Sequence, residues 1–140
     1  MFTGTYEHNV DAKNRIFVPA KFREELGETF IVARDIRNPI LKMFSLSAWE
    51  EYIAPIMNQE RRVAEKALRY LHRNAAQVSP DSQGRVLLPK DLLEYAGIVK
   101  EAYIVGNANA AEIWSKELYE AEVEAEDPAL VCSELEQFGL

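Results

Sequence analysis

A seventeen-residue phrase occurs twice in this chain of 140 residues, at an offset of half its length. Asp11-Ala-Lys-Asn-Arg15-Ile-Phe-Val-Pro19-Ala-Lys-Phe-Arg-Glu-Glu-Leu-Gly27 is answered 70 residues later by Asp81-Ser-Gln-Gly-Arg85-Val-Leu-Leu-Pro89-Lys-Asp-Leu-Leu-Glu-Tyr-Ala-Gly97. Five positions are identical: Asp11/Asp81, Arg15/Arg85, Pro19/Pro89, Glu24/Glu94 and Gly27/Gly97. The same offset pairs Phe44-Ser45 with Trp114-Ser115, and Trp49-Glu50 with Tyr119-Glu120. Two copies are too few for a solenoid, whose units stack in longer series. The duplication instead predicts one domain made of two similar halves, each presenting an Asp-x-x-x-Arg turn.

Each half reads as the same order of elements. Thr3–Val10 alternates as a strand. Asp11–Asn14 is turn chemistry, because Asp bonds its own backbone and Asn tolerates a left-handed conformation. Gly84 holds the matching place in the second copy, which gives a reason for both residue types: each takes positive φ readily. Arg15–Val18 leaves the turn as a strand, Pro19 suits the first turn of a short helix through Leu26, and Gly27 suits its end. Phe30–Ala33 and Ile40–Phe44 are strands. Ser47-Ala-Trp-Glu50 reads as a capping box, opening a helix that ends near Pro55. Asn58–Asn74 is the longest helical stretch, with Val63, Ala67, Leu68 and Leu71 on one face. The second half repeats the order, with Ser115 capping a helix from Lys116 to Glu126. Asp127-Pro128 breaks that helix, and Ala129–Leu140 is a weak helix or a frayed end.

Short strands at close spacing, each half with an unfinished edge, predict two halves that close one barrel between them. The expected division is repeat 1 over about 3–54, a linking helix over about 58–74, repeat 2 over about 75–126, and an acidic C-terminal tail over 127–140.

The net charge is −7, which by itself speaks against a polyanion as partner. Its distribution reverses that. Residues 1–100 carry 15 Lys and Arg against 13 Asp and Glu, while residues 101–140 carry one lysine against 10 acids. The first hundred residues are free to present basic patches, and local field governs the approach of a polyanion. No run approaches the ~18 apolar residues of a membrane span. The N-terminus lacks a secretory pattern. The single cysteine, Cys132, fits a reducing cytoplasm. His8 and His72 lie far apart without ligand spacing, so neither a metal nor another cofactor is expected. No nucleophile–base arrangement stands out, and no enzyme or small-molecule substrate is expected.

The duplicated turn with its surroundings resembles the MraZ family of bacterial transcription regulators, a branch of the AbrB-like swapped-hairpin barrels. The resemblance covers about residues 1–126. It is carried by Met1-Phe2-x-Gly4-x-Tyr6-Glu7-His8, Asp11-Ala12-Lys13-x-Arg15 and Pro19–Glu24. In the second half it is carried by Gln83–Pro89, Tyr95–Gly97, Val105-Gly106 and Glu112–Ser115. Asn14 departs from the family's usual Gly, and Arg73-Asn74 from a small residue followed by Gly. The resemblance implies an α+β fold, mainly β with attached helices: a pseudo-two-fold AbrB-like swapped-hairpin or double-psi barrel of two tandem repeats. It implies double-stranded DNA as partner, bound at direct repeats in the promoter upstream of the protein's own division and cell-wall gene cluster, mainly in repression. It further implies a ring-shaped homo-oligomer at the nucleoid in the cytoplasm.

The candidate DNA-binding residues are Lys13, Asn14, Arg15, Lys21, Arg23 and Arg85; Asp11, Asp81 and Gly84 are the candidates for shaping the turns. Arg15 has two compatible readings, a bidentate contact to guanine and a salt bridge to Asp11 that stiffens the turn. Lys13, Lys21 and Arg23 are replaced in the second copy by Gln83, Asp91 and Leu93. The first loop is therefore expected to carry more of the affinity, with the second loop around Arg85 either assisting or mainly structural. The basic residues between Arg61 and Arg73 read as a solvated face or a subunit contact. A different class of function also fits: an antitoxin-like or scaffold module whose acidic C-terminus binds a basic partner.

Overall fold

The computed structural model describes every residue from Met1 to Leu140, as eight strands and six helices in the order β1(Thr5–Asn9), β2(Arg15–Phe17), α1(Ala20–Leu26), β3(Phe30–Arg34), β4(Leu41–Ser45), α2(Leu46–Met57), α3(Arg61–Arg73), β5(Ala75–Val78), β6(Arg85–Leu87), α4(Lys90–Tyr95), β7(Glu101–Asn107), β8(Ala110–Ser115), α5(Lys116–Ala125) and α6(Pro128–Gln137). The second seven elements repeat the first seven in kind and order. α6 therefore stands where α3 stands, and the C-terminal segment is helical rather than frayed.

The strands form a six-stranded antiparallel sheet, ordered β1-β7-β8-β4-β3-β5, and a two-stranded sheet of β2 with β6. Exchanging the halves turns the six-stranded order into its own reverse, so the topology has a pseudo-two-fold axis. The halves are interleaved: β1 pairs with β7 of the second half, and β5 with β3 of the first. Each outer strand thereby covers the edge its partner half would otherwise expose. The axis passes through two symmetric pairings, Ile16 opposite Val86 and Lys42 opposite Glu112. Both are residues 70 apart. β7 alone follows a different offset. Thr5 pairs with Val105 where Ala75 pairs with Ala33, so β7 answers β3 at 72 residues rather than 70. Two extra residues precede β7 and are recovered in its tighter hairpin to β8, which returns to the offset of 70.

The core follows from strand periodicity. In β3, Phe30 and Val32 face the large cluster between the two sheets, which also holds Ile16, Val86, Phe22 and Leu92; Ile31 and Ala33 face a smaller one under α2. That cluster is aromatic: Phe44 stacks on Tyr52 at 5.0 Å and meets Trp49 edge-on at 5.3 Å. The Trp49 indole N–H donates to Nε2 of His72 on α3 at 3.1 Å, while His72 Nδ1 lies 2.8 Å from the carbonyl of Leu68. The halves are also tied at the β3–β4 turn. There Tyr95 of α4 donates its hydroxyl to the carbonyls of Asp35 and Asn38, with Arg34 over its ring at 4.7 Å. Asp35 is buried. Burial opposes its ionisation, but Lys42 at 3.1 Å and the backbone N–H groups of Asn38 and Arg37 hold its carboxyl below the ordinary value.

Four local expectations are corrected. The cap of α2 is Ser45, whose hydroxyl accepts from the N–H of Ala48; Ser47 lies inside the helix. Ser115, at the offset of 70, accepts from Leu118 in the same way, so the repeat itself carried the correct register. α2 also continues past Pro55 to Met57. The carbonyl left without a partner by proline is that of Glu51, an exposed residue, so the loss does not fall in the core. In α3 the inward residues are Ala64, Ala67, Leu68 and Leu71, while Val63 is exposed. Helix α3 itself starts at Arg61, where the Glu60 carboxylate caps the N–H groups of Arg62 and Val63.

Candidate nucleic-acid interface

Both Asp-x-x-x-Arg turns are closed by one device. Asp11 Oδ1 accepts from the backbone N–H groups of Lys13 and Arg15, each at 2.9 Å, and its Oδ2 accepts from Arg15 Nε at 2.8 Å. Asp81 does the same for Gln83, Arg85 and Arg85 Nε at 2.9, 3.0 and 2.9 Å. A carboxylate is needed because one side chain must accept three donors. Those donors favour the ionised form. The backbone N–H of Arg15 is the first cause that holds Asp11 below the ordinary carboxylate range, and the N–H of Arg85 does so for Asp81. The residue that reverses the chain has positive φ in each turn, 61° at Asn14 and 79° at Gly84, as the sequence predicts.

The pseudo-two-fold brings the turns together. β2 and β6 pair as an antiparallel ribbon, extended by Val18 N–H to the Gly84 carbonyl at 3.0 Å and Leu88 N–H to the Asn14 carbonyl at 2.8 Å. Ile16 and Val86 point into the core. Strand alternation sends their neighbours outward, so the outer face carries Arg15 opposite Leu87 and Phe17 opposite Arg85. Arg85 Nη1 lies 3.9 Å from Asp11 Oδ2, so both guanidinium groups flank one carboxylate oxygen. The Nε of each arginine is spent on its own aspartate. Nη1 and Nη2 of both make no hydrogen bond within the chain. The salt-bridge reading of Arg15 is therefore correct, and it leaves the outward end of the guanidinium unpaired.

The remaining candidates divide. Lys13 sits exposed in the first turn and Lys21 exposed on α1; neither has an acidic partner. Arg23 is engaged within the fold. Its Nε donates to the Val18 carbonyl at 2.9 Å, and its guanidinium lies over Phe17, 5.6 Å from the ring centre. It also covers Gly84: a Cβ there would lie 2.8 Å from Arg23 Cζ and 3.0 Å from Phe17. Gly84 thus answers to two demands, positive φ and the closeness of Arg23. The first turn meets only the former, since Leu93 holds the place of Arg23 and Asn14 that of Gly84.

Reading the sequence missed two neighbours of the arginines. Leu87 is 61% exposed beside Arg15, and Phe17 lies between Arg85 and His8, whose ring meets it edge-on at 5.0 Å. Burial lowers the pKa of His8, which favours a neutral ring in that contact. The signal was the symmetric pairing of Ile16 with Val86, which needs the offset of 70 combined with strand alternation.

The family model described as "MraZ protein, putative antitoxin-like" matches residues 1–70 and again 71–129, one match per half. Among curated relatives, a protein of Carboxydothermus hydrogenoformans is 47% identical over 124 residues, spanning 85% of this chain and 84% of the relative. One of Clostridium tetani is 40% identical over 144 residues, spanning 96% and 99%, and one of Acetivibrio thermocellus is 40% identical over 126 residues, spanning 86% and 85%. Each of the three is named transcriptional regulator MraZ. With a match in each half, and with relatives that extend over most of its length, the chain belongs to the MraZ family.

Proposed function

We propose that this protein is a transcriptional regulator that reads double-stranded DNA with the β2–β6 ribbon, and that Arg15 and Arg85 make the base contacts. The observation that carries the reading is the pair of aspartate-locked guanidinium groups, side by side on one exposed ribbon, whose outer nitrogens make no hydrogen bond within the chain. The major groove admits a two-stranded ribbon, and arginine bonds guanine O6 and N7 through two nitrogens, each good pair discriminating by ~1–3 kcal/mol. Locking Nε beforehand removes part of the ~0.5–1.5 kcal/mol that ordering such a side chain costs on binding. Leu87 and Phe17 supply apolar contact of the kind that meets a thymine methyl. Lys13 and Lys21 fit the phosphates, which position the protein without reading sequence.

On this reading the two turns act as one unit rather than as a principal loop and an assistant. The first contributes more phosphate charge and both contribute an arginine. A single ribbon covers few base pairs, so specific binding comes from several copies on tandem direct repeats, assembled as a ring-shaped homo-oligomer. The target is the promoter upstream of the protein's own division and cell-wall gene cluster, and the effect there is repression.

A gel-shift titration of that promoter region at fixed salt tests the reading. Arg15→Ala and Arg85→Ala each weaken specific binding by roughly 5- to 150-fold, equivalent to ~1–3 kcal/mol, while the circular dichroism stays that of the parent. Undiminished specific binding by Arg15→Ala would end the assignment of the ribbon. Full affinity in Arg85→Ala alone would restrict base reading to the first turn.

A further inference from the structure

The two halves end in helices of opposite charge. α3 carries five Lys and Arg against one Glu. From Lys116 to Gln137, α5 and α6 with their connection carry eight acids against one lysine, and that lysine is held by Glu7 at 2.9 Å. Much of this charge is unpaired within the chain. Arg61 bonds Glu65, but Arg62, Lys66 and Arg69 have no acidic partner, and Glu134 and Glu136 on α6 have no basic one.

Both helices also leave apolar side chains in water. On α3, Val63 and Tyr70 lie two turns apart beside Lys66 and Arg73. A shallow depression is lined there by Lys66, Arg69, Tyr70 and Arg73. On α6, Val131, Leu135 and Phe138 follow each other at helical spacing, and no residue of the helix is buried. The repeat explains why α6 does not pack back as α3 does. At the offset of 70, Ala64, the one fully buried residue of α3, is answered by Glu134, and Ala67 by Gln137.

The pseudo-two-fold places these surfaces on opposite flanks. α3 packs against β3 and β5 at one margin of the six-stranded sheet, while α5, which leads into α6, packs on β7 and β8 in the other half. We propose that α6 of one copy docks across α3 of the next. Glu134, which flanks the Val131–Leu135–Phe138 row, would face Lys66 and Arg69, and the row itself would cover Val63 and Tyr70. The inference rests on the homo-oligomer of the proposed function and names the surface that builds it. An interface between two different patches leaves one free patch at each end, so copies add head to tail until a ring closes or a filament grows. Each added copy presents one more β2–β6 ribbon, and the charged part of the contact weakens as salt shortens the Debye length.

The test uses the full chain and charge reversal on either side, with mass read by light scattering and sedimentation. Lys66→Glu with Arg69→Glu reverses α3; Glu134→Lys with Glu136→Lys reverses α6. Each reversed variant alone is expected to dissociate at concentrations at least tenfold above the parent's. Mixed in equal amounts, the two should reassemble, because acidic α6 again meets basic α3 and the reverse. Recovery on mixing also shows that both variants are folded. Parental mass in either reversed variant overturns the interface, as does failure of the mixture to regain mass. A loss of DNA affinity by the α3 variant with its mass unchanged overturns it too, and assigns that face to phosphates. A parent that is monomeric removes the oligomer itself. In each of these cases the Arg15 and Arg85 titrations still judge the ribbon separately.

Discussion

Exchanging Gly84 for asparagine, the residue its twin turn already uses, tests the geometry of the ribbon. The backbone tolerates the change: Asn14 holds φ 61° where Gly84 holds 79°, and asparagine enters the left-handed region at a cost of roughly 1 kcal/mol. The obstacle is Arg23. A Cβ at residue 84 would stand 2.8 Å from its Cζ and 3.0 Å from its Nε, so the guanidinium must leave. Leaving forfeits the bond to the Val18 carbonyl, ~1.5–3 kcal/mol for a charged donor, and the contact with Phe17, ~0.5–1 kcal/mol. Gly84→Asn should therefore cost about 3–5 kcal/mol in the parent, lowering Tm by roughly 10–20 °C for a chain of this size. In an Arg23→Leu background the second turn becomes chemically like the first, with leucine beside asparagine. There the same substitution should cost only the backbone share and a small shift of the Phe17 ring, 3.0 Å from the new Cβ, about 1–2 kcal/mol in all. Urea unfolding followed by the fluorescence of Trp49 and Trp114 supplies the four stabilities of the cycle, at one protomer concentration because assembly shifts apparent stability. Equal cost in both backgrounds would refute the argument, because the penalty would then belong to φ and not to Arg23.

Other consequences are more direct. Lys13→Gln makes the first turn like the second at Gln83; it should reduce the slope of log K against log salt by about 0.9 while sequence preference stays put, as a salt series of binding titrations would show. Ser45→Ala should cost about 1 kcal/mol through the lost cap of α2, whereas Ser47→Ala should stay within about 0.5 kcal/mol; the reverse order in thermal melts would reinstate the capping box at Ser47. Asp11 and Asp81 are depressed below the ordinary carboxylate value in the folded state, so the stability they give is present above that value. It is lost only as pH falls further, through their folded pKa values. Carboxyl titration by nuclear magnetic resonance checks this, and titration of either group at or above the ordinary value would contradict it.

The local chemistry of the turns was legible because it is written in neighbouring residues. Asp11 with Arg15, and positive φ at Asn14 and Gly84, follow from side-chain size and acceptor count. The cap at Ser45 was equally available through its match to Ser115, but the Ser47–Glu50 spacing competed for the assignment. What sequence could not deliver are contacts between distant residues. Nothing near Arg23 announces that it lies over Gly84, so in sequence it reads only as one of the candidate DNA-binding residues. The ribbon was hidden for a similar reason. Three-residue strands carry almost no periodic signal, and β2 and β6 are defined by each other. β7 shares no identical residue with β3 at an offset of 70 or of 72, so the repeat was not legible in that strand.

Duplication within one chain also explains why the halves were free to diverge in charge while the ribbon kept its form. Ile16 and Val86 meet across the axis inside the core and are held to similar size by its packing, and each Asp–Arg pair is needed to close its own turn. Away from the axis, no residue is obliged to match its twin. Lys21 and Asp91 face different surroundings, the latter 3.9 Å from Arg34 of the other half. Two identical chains paired about a true two-fold could not make that separation, because a substitution would appear at both places. Fusing the halves permits one flank to become basic at α3 and the opposite flank acidic at α6. That polarity is what a head-to-tail array requires and what a symmetric pair cannot have. The asymmetry between Lys13 and Gln83 has the same origin: with both arginines kept, charge around the ribbon is free to be placed where phosphates lie, without altering the pair that reads bases.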